Sequence, residues 1–263
     1  MKFYTIPPNK HLNLMHYGDS FFGLAHYYAQ DLEYRKYFLN LRNSHPDAFI
    51  TMDCGSAENS TVTEQVLLDI VEELKPNEVI APDILFDKEQ TLKNLYYFTV
   101  KMIDFGFIKH TNIFGCPQGK TKQEWLECYY LMMINPMVST IGLSKIAVPK
   151  CWNNAEGDTQ IGLSRNQCVQ ELKDRDWLQK PLHLLGMGEH TEFDYYLQHR
   201  TPCIRSSDSC YTILATFNGI SFRRGDTTRI PTTNDYFNRT LDGGRIITAI
   251  DNIDYLKAKY EDV

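Results

Sequence analysis

Short runs of strand-forming residues alternate with helical patterns along most of the chain, and this alternation limits the fold more than any other feature. One clear unit starts with the β-rich run Ala48–Asp53 and continues with apolar residues at helical spacing between Val62 and Leu74. Similar units recur at intervals of roughly 30 residues. Strands separated by helices pair in parallel, because a right-handed crossover to a parallel neighbour needs such a connection.

The number and similarity of these units favour a barrel. Two segments, Lys2–Ile6 and Arg245–Ile250, are candidates for an eighth strand, and the first of the other seven is expected to precede a helix from about Phe21 to Leu41. Because the units are nearly equal and no Gly-rich phosphate motif follows the first strand, we expect a (β/α)8 TIM-type barrel and not an open doubly wound sheet. The seven predicted strands are Leu12–Met15, Ala48–Asp53, Glu78–Asp83, Thr111–Cys116, Thr140–Ser144, Leu182–Met187 and Cys203–Ser207.

The length of the chain fits a single domain of this kind. Barrels of this type take about 250 residues and the chain has 263, so we expect one barrel domain over residues 1–263. Residues 219–263 are polar, and we expect them near the barrel mouth as loops and a short closing segment.

Composition excludes several classes of protein. Apolar residues make up 43% of the chain, but no run approaches the roughly 20 residues of a membrane span, so we expect a cytoplasmic protein without a membrane partner. The seven cysteines are scattered without a CxxC pair, and the histidines form no HxH or HExxH pattern. We therefore expect no disulfide framework, no metal and no cofactor. The net charge of −6 means that nucleic-acid binding would need a local basic patch.

Polar residues end several of the predicted strands. Asp53, Asp83 and Asp208 are three of them, and Gln118 lies in a turn flanked by glycine. A lone Asp in such a place is usually a helix N-cap, but capping does not explain Gln118. Carboxylates that converge at one barrel mouth can acquire separate nucleophile, base and acceptor roles. His26 and His183 are more typical of packing residues.

Six short segments at these strand ends carry a family resemblance. They are Asp53-Cys-Gly-Ser, Ala81-Pro-Asp83, Gly115-Cys-Pro-Gln-Gly119, Ile141-Gly-Leu-Ser144, Leu184-Leu-Gly-Met-Gly188 and Ile204-Arg-Ser-Ser-Asp208-Ser. In this order they resemble the tRNA-guanine transglycosylase family. The resemblance is closest to its compact relatives, from bacteriophages and bacterial DNA-modification clusters, that insert 7-deazaguanines of the preQ0 type into DNA.

The resemblance implies a base exchange in which guanine in DNA is replaced by a free 7-deazaguanine through a covalent aspartyl-glycosyl intermediate. Asp208 would be the nucleophile and Asp53 the proton shuttle. By the same resemblance, the base would be held by Asp83, Gln118, Gly119, Gly142, Leu143, Met187 and Gly188.

Two departures from the family pattern favour DNA over tRNA. The tRNA enzymes carry a zinc subdomain of three cysteines and a histidine after the nucleophile strand, whereas Cys210 is the last cysteine here and His199 the last histidine. Tyr211-Thr-Ile also replaces the Pro-Thr-Arg that follows the nucleophile in those enzymes. An enzyme acting on tRNA, a hydrolase of deazaguanine nucleosides and a silent binding subunit remain alternatives.

A polymer substrate would need cations near the mouth to hold its phosphates. Five are predicted to contact the nucleic-acid backbone, namely Lys120, Lys145, Arg205, Arg223 and Arg224, and Lys122, Lys150 and Arg165 are further candidates. The sequence does not define the oligomeric state.

Overall fold

Eight parallel strands curl into a nearly closed barrel in which helices alternate with strands, so the chain forms one (β/α)8 TIM-type domain, as the sequence predicts. The computed structural model describes residues 1–56, 62–156, 160–188, 192–199, 201, 203–225, 233 and 235–261. The strands are β1 (Lys2–Thr5), β2 (Phe21–Leu24), β3 (Ile50–Asp53), β4 (Glu78–Ile80), β5 (Asn112–Gly115), β6 (Val138–Ser144), β7 (Leu182–Leu185) and β8 (Ile204–Ser209). Their order in the sheet is β1-β8-β7-β6-β5-β4-β3-β2.

The helices cover the outside of the sheet, and several of them follow a residue whose side chain caps their free N–H groups. Each capping side chain accepts a hydrogen bond from a backbone N–H in the first turn of its helix. The capping residues are Asp31, Thr63, Asp87, Thr121 and Asp242. The helices are α1 (Ala25–Gln30), α2 (Leu32–Ser44), α3 (Glu64–Leu74), α4 (Lys88–Asp104), α5 (Lys122–Ile134), α6 (Ala147–Asn153), α7 (Ile161–Asp174), α8 (Glu192–Gln198), α9 (Tyr211–Phe217) and α10 (Gly243–Tyr260).

The capping pattern bears on the three strand-end carboxylates. The residue at the N-cap is Thr63 for α3, Asp87 for α4 and Cys210 for α9. Asp53, Asp83 and Asp208 are therefore not the N-caps of the helices that follow them, and the capping explanation for these residues is wrong.

The N-terminal assignment from the sequence is also wrong. Leu12–Met15 lies inside a 3₁₀ helix, Asn9–Tyr17, in which Leu12, Leu14 and Met15 are buried. The neighbouring strand is instead β2, so the helix predicted from Phe21 begins only at Ala25. Leu12 and Leu14 are two residues apart, which is the spacing of neighbouring residues on one face of a strand. Here they belong to a 3₁₀ helix that buries both side chains.

The eighth strand is the first of the two candidates. β1 pairs in parallel with β8, and Tyr4 lies beside Asp208 in the register. Arg245–Ile250 belongs to α10, which is capped by Asp242 and buries Ala249 and Ile253. Residues 243–260 are thus a long helix and not the short closing segment that the sequence suggested. Thr233 and Phe237 lie at the barrel mouth.

Candidate functional site

A cavity of about 650 Å³ opens at the carboxyl ends of the strands. This is the end at which (β/α)8 enzymes carry their active sites, since the loops after the strands surround it. Its walls combine carboxylates, amides and apolar side chains. The residues that line it are Ile6, Phe22, Leu24, His26, Tyr27, Gln30, Asp53, Ser56, Ile80, Asp83, Leu85, Cys116, Gln118, Ser144, Lys145, Ile146, Leu185, Gly186, Met187, Asp208, Ser209, Cys210, Thr233 and Phe237.

Asp208 is held in this cavity by one of its two oxygens. Its side chain is buried, with 5% of the residue exposed. Oδ1 accepts a hydrogen bond from the Gly186 N–H at 3.0 Å and lies 2.9 Å from Nε2 of His183. Oδ2 has no hydrogen-bond partner among the residues that the structure describes. One oxygen is therefore anchored while the other remains available to a ligand.

His183 occupies the barrel interior directly behind Asp208. It is fully buried, and its ring contacts the rings of Tyr4, Phe22 and Phe114 at centroid distances of 5.5, 5.8 and 5.5 Å. Burial lowers the pKa of His183, and the Asp208 carboxylate opposes this shift without overcoming it. The pair is accordingly a hydrogen bond between a neutral imidazole and a carboxylate and not an ion pair.

The partners of His183 define its tautomer. A neutral imidazole has one N–H, and a carboxylate can only accept, so Nε2 carries the proton and donates it to Asp208. Nδ1 is then an acceptor, and Ser206 Oγ, 2.7 Å away, donates to it. Ser206 Oγ in turn accepts from Arg205 Nε at 3.3 Å. These bonds fix the ring that holds the carboxylate.

Asp83 and Gln118 form a second buried group in the cavity. Asp83 Oδ2 accepts from Gln118 Nε2 at 2.6 Å, and its Oδ1 accepts from the Cys54 thiol at 3.2 Å. Gln118 Oε1 accepts from the Phe86 N–H at 3.1 Å. Burial raises the pKa of Asp83 above its ordinary value. Gln118 thus orients Asp83 and the turn at Phe86, so its amide is already engaged on both sides before any ligand binds.

Asp53 provides the third carboxylate. It ends β3 and lines the cavity, and it is less buried than Asp83 or Asp208. β3 and β8 lie on different parts of the rim, separated by β1 and β2 along one side. A ligand between these two strands would have a carboxylate on either side.

The predicted base-binding glycines have other surroundings. A Cβ on Gly142 would lie 2.5 Å from Leu185 Cδ1, and one on Gly119 would lie 2.5 Å from the backbone nitrogen of Trp125. Both glycines therefore allow close packing. Gly119, Gly142, Leu143 and Gly188 do not line the cavity, whereas Met187 does. Ser144, Lys145 and Ile146 contribute from β6 and its loop instead.

Gly186 is a residue for which the turn requires glycine. Its φ is +70°, a value that side chains disfavour, and a Cβ would lie 2.5 Å from Cδ of Lys145. This turn presents the Gly186 N–H to Asp208 and lays the stem of Lys145 along the cavity.

Most of the predicted phosphate-binding cations are engaged elsewhere. Arg205 lies near the amino end of β8, the end opposite the cavity, where it makes a two-pronged ion pair with Glu78 at 2.6 and 2.7 Å. Arg223 pairs with Asp251, and the fully buried Arg165 pairs with Glu192. Lys122 pairs with Glu171 and Lys150 with Glu156. Lys145 lines the cavity, and Lys120 and Arg224 are exposed without an ion pair among the described residues.

Sequence reasoning missed His183, Gly186 and the wall formed by α1. That wall consists of His26, Tyr27 and Gln30. His183 could have been found from strand alternation, because it lies two residues before the cavity residue Leu185 and therefore on the same face of β7.

No family model matches the chain, and no curated protein matches it either. No helix in the described part of the chain is both long and apolar enough to cross a membrane. Within the same described residues, no cluster of three or more His, Cys, Asp and Glu side chains is arranged to hold a metal ion.

Proposed function

We propose that the protein is a base-exchange transglycosylase that replaces guanine in DNA with a free 7-deazaguanine through a covalent intermediate on Asp208. The observation that carries the proposal is the asymmetric environment of the Asp208 carboxylate. Oδ1 is bound by two donors while Oδ2 has none among the described residues, which is the arrangement that a carboxylate nucleophile needs. The resemblance of the strand-end motifs to guanine transglycosylases supports the substrate.

In the first half-reaction, Asp208 Oδ2 forms a bond to C1′ as the bond from C1′ to N9 of guanine breaks. The electron pair of that bond passes to the base, and a proton from Asp53 neutralises it. In the second half-reaction Asp53 takes the N9 proton of the incoming 7-deazaguanine. The nitrogen then bonds to C1′, and the ester bond to Asp208 breaks, so one carboxyl group serves both proton transfers.

Two donors on Oδ1 serve both halves of this cycle. They hold the carboxylate so that Oδ2 faces the cavity, and they stabilise the negative charge that returns to Asp208 when the ester breaks. His183 and Gly186 are therefore proposed as the residues that position the nucleophile and stabilise it as a leaving group.

The base would lie against Met187 with its polar edge at Asp83. Asp83 is buried and already oriented by Gln118, so it offers lone pairs to the N–H groups of a guanine edge at a defined place. A guanine inside a duplex cannot reach such a cavity, so the nucleotide would have to be flipped out or already single-stranded.

A second candidate is the cleavage or exchange of a free deazaguanine nucleoside. The observation that favours it is the pairing of the cations, because Arg205, Arg223 and Arg165 are committed to carboxylates and the chain is acidic. Of the other predicted phosphate contacts, Lys120 and Arg224 are exposed and Lys145 lines the cavity. A nucleoside would need none of them.

Incubation with labelled guanine separates these functions. Incorporation into DNA supports the proposal, and incorporation into tRNA supports an enzyme that acts on tRNA instead. Release of free base from a deazaguanine nucleoside, without exchange into either polymer, supports the second candidate. Absence of turnover with every substrate would contradict both.

A further inference from the structure

The outer face of α4 is apolar to an unusual extent. Glu89 and Gln90 are exposed in the first turn of this helix; the exposed residues after them are Lys93, Tyr96, Tyr97, Val100, Ile103 and Asp104, which follow one another at helical spacing and form what we call the α4 stripe. Tyr96 and Tyr97 are 64% and 52% exposed. The opposite face, with Leu95, Phe98 and Met102, is buried against the barrel. Four of the six stripe residues therefore present large apolar groups to solvent.

The apolar surface continues beyond α4. Nine of the exposed large apolar side chains of the described residues lie between Tyr96 and Ile134. Tyr130 and Leu131 of α5 join Leu92 of α4 in a shallow groove beside the stripe. A surface of two adjacent helices with clustered aromatic residues is typical of a protein-protein interface.

The ends of the α4 stripe carry opposite charges. Lys93 stands near the start of the helix and Asp104 at its end, roughly 16 Å apart along the axis. Neither has an ion-pair partner among the described residues, whereas the neighbouring Lys88 pairs with Glu127 and Lys101 with Glu64. The two cations that flank the stripe are thus neutralised within the chain, but the charges within it are not.

These charges make the stripe complementary to itself. The point midway between Lys93 and Asp104 is also midway between Tyr97 and Val100. If two α4 helices cross in antiparallel fashion about a twofold axis at this point, Lys93 of one copy meets Asp104 of the other, and Tyr97 meets Val100. Both pairs are formed twice, as an isologous contact requires.

We propose that the α4 stripe binds a second copy of this chain, giving a twofold dimer with the two α4 helices antiparallel at its centre. The apolar residues supply the buried surface, and the two symmetric Lys93–Asp104 pairs set the direction and register of the helices.

Sedimentation equilibrium over micromolar concentrations tests the dimer through charge reversal. Lys93→Glu and Asp104→Lys each place two like-charge contacts in the interface, so each should raise the dimer dissociation constant about tenfold or more. The double variant restores opposite charges with their positions exchanged and should recover dimerisation. Both residues are exposed, and unchanged thermal melts will show that the variants fold.

Val100→Asp tests the apolar centre and should abolish the dimer, whereas the matched control Leu163→Asp, on the exposed face of α7, should leave it intact. A wild-type protein that is monomeric throughout overturns the proposal. So does a dimer that tolerates Val100→Asp, or a double charge reversal that is weaker than either single variant.

Discussion

Replacing His183 with phenylalanine should slow base exchange without unfolding the protein. The ring lies among Tyr4, Phe22 and Phe114, so a phenyl group keeps most of the packing. It removes one of the two donors to Asp208 Oδ1, at 2.9 Å. A hydrogen bond to a charged group contributes about 1.5–3 kcal/mol. If that energy is lost in the transition state, kcat falls about tenfold to about a hundredfold, while KM for the base changes much less.

His183→Gln separates positioning from packing. Its amide N–H can still donate toward Asp208, so we expect it to recover most of the rate that the Phe variant loses. The assay is steady-state incorporation of labelled base, with thermal melts of all three proteins. The reasoning is refuted if the Phe variant keeps the wild-type kcat, or if a folded Gln variant is as slow as the Phe variant.

Three further predictions follow from the same contacts. Burial lowers the pKa of His183, so the unfolded chain takes up a proton at this residue before the folded protein does, and stability is lost as the pH falls below about 6.5. The free energy of unfolding of His183→Gln should therefore depend on pH less steeply than that of wild type, by at most about 1.4 kcal/mol per pH unit. Identical slopes in urea titrations at several pH values would contradict this. Burial raises the pKa of Asp83, so the ionised group destabilises the folded protein at pH 7. Asp83→Asn should therefore raise Tm at pH 7 while lowering kcat/KM for the base. A lower Tm would argue against this. Gln118→Ala should weaken use of the base by about 1–3 kcal/mol, because it removes the N–H donor that orients Oδ2 of Asp83. Equal loss of DNA affinity in an anisotropy titration would count against that role.

The repeating units of the chain made the fold predictable from β3 onward. Each β-rich run there is bounded by residues that stop helices or turn the chain, so type and order were readable. The N-terminus failed because Leu12 and Leu14 alternate like a strand inside a 3₁₀ helix. The second candidate for the eighth strand failed because the spacing of Ile246, Ile250 and Ile253 is helical, and Asp242 caps the helix that buries Ile253 and partly buries the other two.

The site was partly predictable because strand ends meet at one rim. Asp53, Asp83, Gln118, Met187 and Asp208 line one cavity, which their positions after strands indicated. Their chemical roles stay predictions.

Pairings between distant strands were not readable from the sequence. His183 resembled a packing residue because its partners Ser206 and Asp208 belong to another strand, and only the register brings them together. Arg205 was predicted to contact phosphate because no local signal revealed Glu78, 127 residues away, as its partner.

Detection of a covalent adduct tests the central claim most directly. The protein is incubated with DNA and a slow incoming base, denatured, and measured by intact mass. We predict an adduct with the wild-type protein and none with Asp208→Asn, which keeps the shape of the side chain but lacks the nucleophile. Asp53→Asn keeps the nucleophile, so it should still form the adduct, but both adduct formation and exchange should be slow because each half-reaction uses Asp53 for proton transfer. An adduct with the Asp208 variant and none with the Asp53 variant would show that the two roles are reversed, and full exchange by both would contradict the transglycosylase mechanism altogether.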